Sequence, residues 1–303
     1  MEPSALIFDI KRDCSEDGPG IRTTVFFKGC PLSCTWCQNP EGNNNTIQLS
    51  FNQQACQPKL CGVACVPVCE ASCLQFHDNT LHVTNDLCTR CDHCFEQCPT
   101  AALTPVGYSI TLSELLYRVM IDQPFYHATG GGITFSGGEA TQQMTFIHFF
   151  LQALKTRDIH CALETSGFFH YPTFKEQILP YLDLVYFDLK LMDEQASIHY
   201  TGQSNRLILE NFSHLAAEPD IQLMPRIPLI PEITTTQENL AGIANFLTKH
   251  GIHQANLLPY NPLWQDKTKR LNITPKYHRK SYMTSTEKAR CIRYFTHQTN
   301  IEV

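Results

Sequence analysis

The 303 residues are 43% hydrophobic and 17% charged, enough apolar material for one large packed domain with something small beside it. With 23 Lys+Arg against 29 Asp+Glu the formal net charge is -6, so there is no overall basic field for a polyphosphate backbone and nucleic acid is excluded as the main partner. The N-terminal run MEPSALIFDIKRD reaches charged residues before a signal-type apolar core forms, and no stretch approaches the ~20 apolar residues of a membrane span; a soluble cytoplasmic chain without membrane contact is expected.

In chain order, Asp17-Gly-Pro-Gly-Ile-Arg22 reads as a turn, because Gly and Pro dominate tight reversals. An apolar strand is predicted over 23–28, followed by Cys30, Cys34 and Cys37 in a C-x3-C-x2-C loop. From about 57 to 105 the chain is rich in Cys and Pro and has no long amphipathic run, so metal rather than core burial has to hold its fold. After Thr111, helical segments alternate with short apolar strands that end in polar or glycine-rich loops, the pattern of βα units around a parallel sheet. Further strands are predicted over 132–135, 160–164, 184–189, 222–227 and 254–258. Helices are predicted over 112–126, 145–156, 173–181, 206–218, 237–250 and 287–297. Six strands fit a partial α/β barrel, whose chemistry sits beyond the carboxyl ends of the strands. The cysteine loop, Gly137 and Gly138, Glu164, Asp188 and Arg226 all fall at those ends.

Fifteen cysteines in a reduced compartment point to metal rather than disulfides, and all but Cys14, Cys161 and Cys291 fall between Cys30 and Cys98. Those three read as small buried side chains. Three thiolates from Cys30, Cys34 and Cys37 on a 4Fe-4S cubane leave one iron without a protein sulfur and open to an outside ligand. The competing reading is a zinc knuckle, but no fourth Cys or His follows before Cys56 to close a tetrahedron. Farther on, Cys88-x2-Cys91-x2-Cys94-x3-Cys98-Pro99 reproduces the bacterial ferredoxin run, in which the fourth cysteine serves the other cluster. CEASCL at Cys69 aligns with CPTAAL at Cys98, which leaves Cys73 at an alanine position and surplus. One cluster is therefore expected on Cys69, Cys88, Cys91 and Cys94. The other is expected on Cys61, Cys65, Cys98 and Cys56 or a neighbour, with wider spacings that leave Cys73, partial occupancy or zinc open there.

C-x3-C-x-aromatic-C after the first strand, with Gly137-Gly138-Glu139 after the second, resembles the radical S-adenosylmethionine superfamily. Within it, DGPGIRTTVFFKGCPLSCTWCQNPE from Asp17 to Glu41 resembles the glycyl-radical enzyme activating enzymes of the pyruvate formate-lyase type, over essentially the whole chain. The resemblance implies a partial (β/α)6 barrel from 1–50 and 106–303, with a ferredoxin-like insert at 51–105 holding two accessory [4Fe-4S] clusters. It implies S-adenosylmethionine on the open iron, its ammonium held by Gly137, Gly138 and Glu139, its carboxylate beside Asp188 and Lys190. Glu164 and Arg226 fall near the cofactor by the same likeness. Trp36 is either core or a wall for the adenine. Asp17 and Arg22 are expected to border the groove for a partner's glycine loop. Ala140 stands where the family has Pro, and Asn261 where some relatives have His, so no histidine role transfers there. The implied reaction takes an electron from reduced flavodoxin or ferredoxin, forms a 5'-deoxyadenosyl radical, and removes hydrogen from a glycine of a partner glycyl-radical enzyme; no general base is needed, and a monomer suffices. Radical chemistry on a small molecule, and a non-catalytic iron–sulfur electron carrier, are the competing functions.

Overall fold

The computed structural model describes residues 2–297 and 299–303. Its strands are β1 (Ser4–Cys14), β2 (Arg22–Phe27), β3 (Gln48–Phe51), β4 (Leu74–His77), β5 (Thr80–Val83), β6 (Leu103–Val106), β7 (Tyr108–Thr111), β8 (Gly132–Gly137), β9 (His160–Thr165), β10 (Leu184–Asp188), β11 (Gln222–Leu229) and β12 (Asn256–Pro259). Helices are α1 (Pro58–Cys61), α2 (His93–Glu96), α3 (Leu112–Met120), α4 (Gln123–Thr129), α5 (Met144–Lys155), α6 (Tyr171–Gln177), α7 (Glu194–Thr201), α8 (Arg206–Ala216), α9 (Gln237–Lys249), α10 (Trp264–Arg270) and α11 (Ser285–Thr296). None of the described helices is long and apolar enough to cross a membrane.

One mixed sheet runs β12-β11-β10-β9-β8-β2-β1-β7. Its members from β2 to β12 pair in parallel, as the βα alternation requires, and β1 and β7 add an antiparallel edge. Strand side chains alternate between the faces, and the sequence uses the two faces differently. Val25, Phe27, Ile133, Phe135, Cys161, Leu163, Val185, Phe187, Ile227 and Leu229 form one buried apolar layer with the helices. The alternate positions, including Arg22, Thr134, Ser136, Glu164, Asp188 and Arg226, are polar and bond to one another or face a cavity. In α5, Phe146, Ile147, Phe150, Leu151 and Leu154 fall on one stripe, and Phe150 meets Phe135 edge-on at a centroid distance of 5.7 Å.

The six predicted strands and most predicted helices are present, with two breaks that have a chemical cause. The helix expected over 112–126 is divided into α3 and α4 because Pro124 lacks the N–H that a continuous helix needs. The break turns Asp122 inward, where its carboxylate accepts from Arg12 Nε at 2.6 Å and Thr23 Oγ1 at 2.9 Å. Pro180 likewise cuts short the helix expected over 173–181, leaving α6 and a short 3-10 turn. Between β2 and β7 lies a small unit with its own core of Leu49, Leu74, Leu81, Val83 and Leu103 packed with Cys65, Cys73 and Cys94. β3 pairs antiparallel with β6 across its neck, and β4 with β5 as a hairpin.

A methyl group added at Gly131 would meet the Ile21 carbonyl oxygen at 1.8 Å, because the turn before β2 lies directly on the turn before β8. Gly131→Ala is expected to cost about 1–3 kcal/mol or more through this overpacking, read as a lowered denaturant midpoint at unchanged slope. An unchanged midpoint would mean that the two turns are not pressed together.

Candidate active site

At the carboxyl end of β2 the backbone of Gly29 is held between two loops. Its N–H donates to Gly42 O at 2.7 Å, and its carbonyl accepts from Glu139 N at 2.8 Å. Gly138 N donates to Phe27 O at 2.9 Å. A Cβ at Gly138 would meet Gly42 O at 2.4 Å, and Gly137 has a left-handed φ of 112° with Phe27 backbone in the way of any side chain. Both glycines are thus required first for loop-on-loop packing. The other side of the cysteine loop rests on the end of α7, where Ser33 N donates to Thr201 O at 2.8 Å and Thr35 N to Tyr200 O at 3.0 Å.

This stitching brings Cys30, Cys34 and Cys37 to one wall of a cavity of about 450 Å³, whose other walls are Ser136, Gly137 and Gly138, Glu164, Asp188, Lys190 and Arg226. The size suits a small-molecule cofactor. Burial pushes the Cys30 and Cys34 thiols up and raises Cys37 to about 12, so without a metal the three sulfurs stay protonated. Bound metal reverses that preference by deprotonating its thiol ligands outright. Among the described residues, the buried side-chain N or O atoms without a partner are Thr35 Oγ1 and Glu41 Oε2, both in this same loop. Three thiols on one wall are a donor set that fits a 4Fe-4S cluster with one iron left open.

Opposite the thiols runs a chain of charges. Arg226 bonds Glu164 through Nη1 and Asp188 through Nε at 3.1 Å, and Lys190 Nζ reaches the second Asp188 oxygen at 3.1 Å. Ser136 Oγ donates to Glu164. Burial alone would raise the Asp188 pKa, but Lys190 and Arg226 overcome it and hold the carboxyl below its ordinary range. Burial likewise opposes the charge on Lys190, which Asp188 restores and raises. Trp36, at 3% exposure, packs with Leu191, Ile230, Ile233, Tyr260 and Trp264 and also lines the cavity.

Some expected roles look different in place. Glu139 is wholly buried, and its carboxylate accepts from Thr141 Oγ1 at 2.8 Å, Thr165 Oγ1 at 2.8 Å, Ser166 N at 2.8 Å and Ser166 Oγ at 2.6 Å. It pins the β8 loop to the β9 loop and turns no oxygen to the cavity. Ala140 is buried at the start of the turn that follows. Arg22 is also fully buried, where its guanidinium donates to Thr134 Oγ1 at 2.7 Å, Ile133 O at 2.7 Å and Pro19 O at 3.2 Å. It ties the Asp17–Arg22 turn to β8 and presents no surface to a peptide. Asp17, half-buried, accepts from Thr24 Oγ1 at 2.6 Å. Asn261 uses its side chain to accept from Leu263 N at 3.2 Å just ahead of α10. Thr165 and Ser166, which directly follow the strand-end Glu164, carry no local signal that marks them as anchors of Glu139.

The small unit between β2 and β7 sorts its cysteines into two neighbourhoods. Burial raises Cys65 to about 11, with Cys61, Cys98 and Cys56 adding to the effect. Burial also raises Cys94 to about 12, reinforced by Cys88, Cys69 and Cys91. Cys73 lies beside the second set, with its sulfur 3.3 Å from Cys69 Sγ.

A parallel sheet with three cysteines after its first parallel strand and a glycine loop after the next is the arrangement of a radical S-adenosylmethionine enzyme, and the comparisons agree. A family model described as a 4Fe-4S single cluster domain matches residues 16–61. The chain is 37% identical over 267 residues to the isethionate sulfite-lyase activating enzyme of Nitratidesulfovibrio vulgaris, covering 87% of this chain and 86% of that one. It is 37% identical over 282 residues to the choline trimethylamine-lyase activating enzyme of Oleidesulfovibrio alaskensis, covering 89% and 88%. It is 34% identical over 276 residues to the 4-hydroxyphenylacetate decarboxylase activating enzyme of Clostridioides difficile, covering 90% and 87%. A solved radical SAM methyltransferase from Sphaerobacter thermophilus shares the fold alone, with a TM-score of 0.52 at 13% identity over 100% of this chain and 77% of that one. The chain belongs to the glycyl-radical enzyme activating enzymes.

Removing Arg226 leaves Glu164 with no cation and Asp188 with Lys190 alone, in the wall of a cavity. Arg226→Ala is expected to destabilise the fold by about 3–5 kcal/mol, and Arg226→Lys to recover only part of it because an ammonium has no two-armed fork for Glu164 and Asp188. Chemical denaturation of the three proteins checks the order; equal stability of wild type and Arg226→Ala would contradict it.

Proposed function

We propose that Cys30, Cys34 and Cys37 hold the cluster that gives this activating enzyme its chemistry, and that the adjoining cavity takes S-adenosylmethionine. The observation that carries this is the meeting, on one cavity, of three desolvated thiols and the cation Lys190. When bound, the pair of cofactors supplies the reductive cleavage whose product takes a hydrogen atom from a glycine Cα of a glycyl-radical enzyme.

The chain's own side chains bind and orient. Lys190 offsets negative charge beside Cys34. Backbone of Gly137 and Gly138 forms an edge for the methionine end, and Glu139 keeps that edge in place from behind. Lys190 and Arg226 offer cations to a carboxylate, while Glu164 and Asp188 offer acceptors to an ammonium or to hydroxyls. The apolar wall of Leu32, Trp36 and Ile230 keeps water from the reacting face. Asp17 borders the entry for the partner's loop, and Arg22 shapes the turn that carries it.

The finer division of the chain is a partial (β/α)6 barrel at 1–50 and 106–303 with a two-cluster, ferredoxin-like insert at 51–105. Pairing of β3 with β6 around a separate cysteine-lined core supports it. Its clusters fall on Cys69, Cys88, Cys91 and Cys94, and on Cys56, Cys61, Cys65 and Cys98. Reduced flavodoxin or ferredoxin is the electron source, and the enzyme works as a cytoplasmic monomer. The three relatives act on partners of different chemistry while identity stays at 34–37%, so what carries over is a protein glycine rather than a named substrate.

Anaerobically reconstituted enzyme should bind about twelve irons, and Cys34→Ala about eight with no release of 5'-deoxyadenosine from S-adenosylmethionine, by the four-iron stoichiometry of each cubane. Undiminished nucleoside release in Cys34→Ala would refute the assignment. With a glycyl-radical enzyme encoded beside this gene, a glycyl electron-spin signal is expected; nucleoside release without that signal for any such partner would favour a small-molecule substrate.

A further inference from the structure

The two halves of the insert repeat one another in space. Ser72 and Ala101 both take the left-handed conformation, with φ of 52° and 50°, three residues after Cys69 and Cys98. One residue on, Cys73 O accepts from Thr84 N at 2.9 Å and Ala102 O accepts from Asn52 N at 2.7 Å. Leu74 and Leu103 then open β4 and β6, each at 2% exposure. Cys73 therefore occupies the place that Ala102 fills in the other half, and both are buried. A methyl group is enough to pack that place, so the Cys73 sulfur is an atom the fold does not require.

That sulfur lies 3.3 Å from Cys69 Sγ, within hydrogen-bond reach. The other half has only the Thr100 hydroxyl 3.8 Å from Cys98 Sγ, and Ala71 stands at the matching position here. We propose that Cys73 is not a cluster ligand but a positioning residue that donates an S–H hydrogen bond to the Cys69 thiolate and raises the reduction potential of the cluster on Cys69, Cys88, Cys91 and Cys94. Hydrogen bonds to cluster sulfurs withdraw charge and favour the reduced state, and partners of a metal ligand tune it in the same way. The inference rests on the two-cluster reading of the insert.

Iron analysis and electron-spin-monitored redox titration of the holoenzyme test it, using wild type, Cys73→Ala and Cys73→Ser. All three should bind about twelve irons. Cys73→Ala should lower the midpoint of one accessory cluster only, and Cys73→Ser, which keeps a donor, should move it back toward wild type. An unchanged midpoint at full iron content in Cys73→Ala overturns the proposal. So does loss of about four irons in Cys73→Ala with none lost in Cys69→Ala, which would make Cys73 the ligand. A wild-type content of only about four irons would instead remove the two-cluster reading itself, and this proposal with it.

Discussion

Three thiols held side by side out of water are the constraint on which this molecule is organised. Desolvation pushes the Cys30, Cys34 and Cys37 thiols up, so the loop holds three uncharged sulfurs that a bound metal would ionise. A loop under that demand needs external fixing. The chain supplies it from three directions, through Gly42 and the β8 loop on one side, α7 on another, and Lys267, which reaches Gln38 O at 3.2 Å and Glu41 at 3.2 Å, from α10.

The same economy governs the cavity wall. Glu164, Asp188, Lys190 and Arg226 are ion-paired while facing the cavity, so each charge is stabilised within the chain itself and held in a fixed orientation. Glu139 takes a different part. With its carboxylate spent on Thr141, Thr165 and Ser166, it contributes rigidity to the glycine edge, and the motif's conspicuous acid acts through the backbone it positions.

Much of this was legible before the fold was known, because parallel strands buried by helices leave strong apolar runs and because ligand spacing is local. The Cys30 to Cys37 loop, the strand-end residues and the six parallel strands all carry such signals. What escaped depended on tertiary contacts or weak periodicity. β1 carries only a short apolar run, and its burial, alternating from Ser4 to Ile7, is what marks it as a strand next to the sheet edge. α7 has no apolar stripe, so only its ends could have announced it: Asp193 accepting from Ala196 N at 2.7 Å, and Gly202 in the left-handed cap. The burial of Arg22 and the satisfaction of Glu139 were invisible for another reason. Both are set by partners more than twenty residues away, such as Thr134 and Thr165, which no local pattern records.

The most direct test of a three-thiolate cluster with an exchangeable site is electron–nuclear double resonance on the reduced holoenzyme with isotopically labelled S-adenosylmethionine. Coupling from the labelled amino nitrogen and carboxylate oxygen to the cluster spin is the result this account predicts. A cluster that shows no such coupling at saturating cofactor, its irons all held by protein, would contradict it.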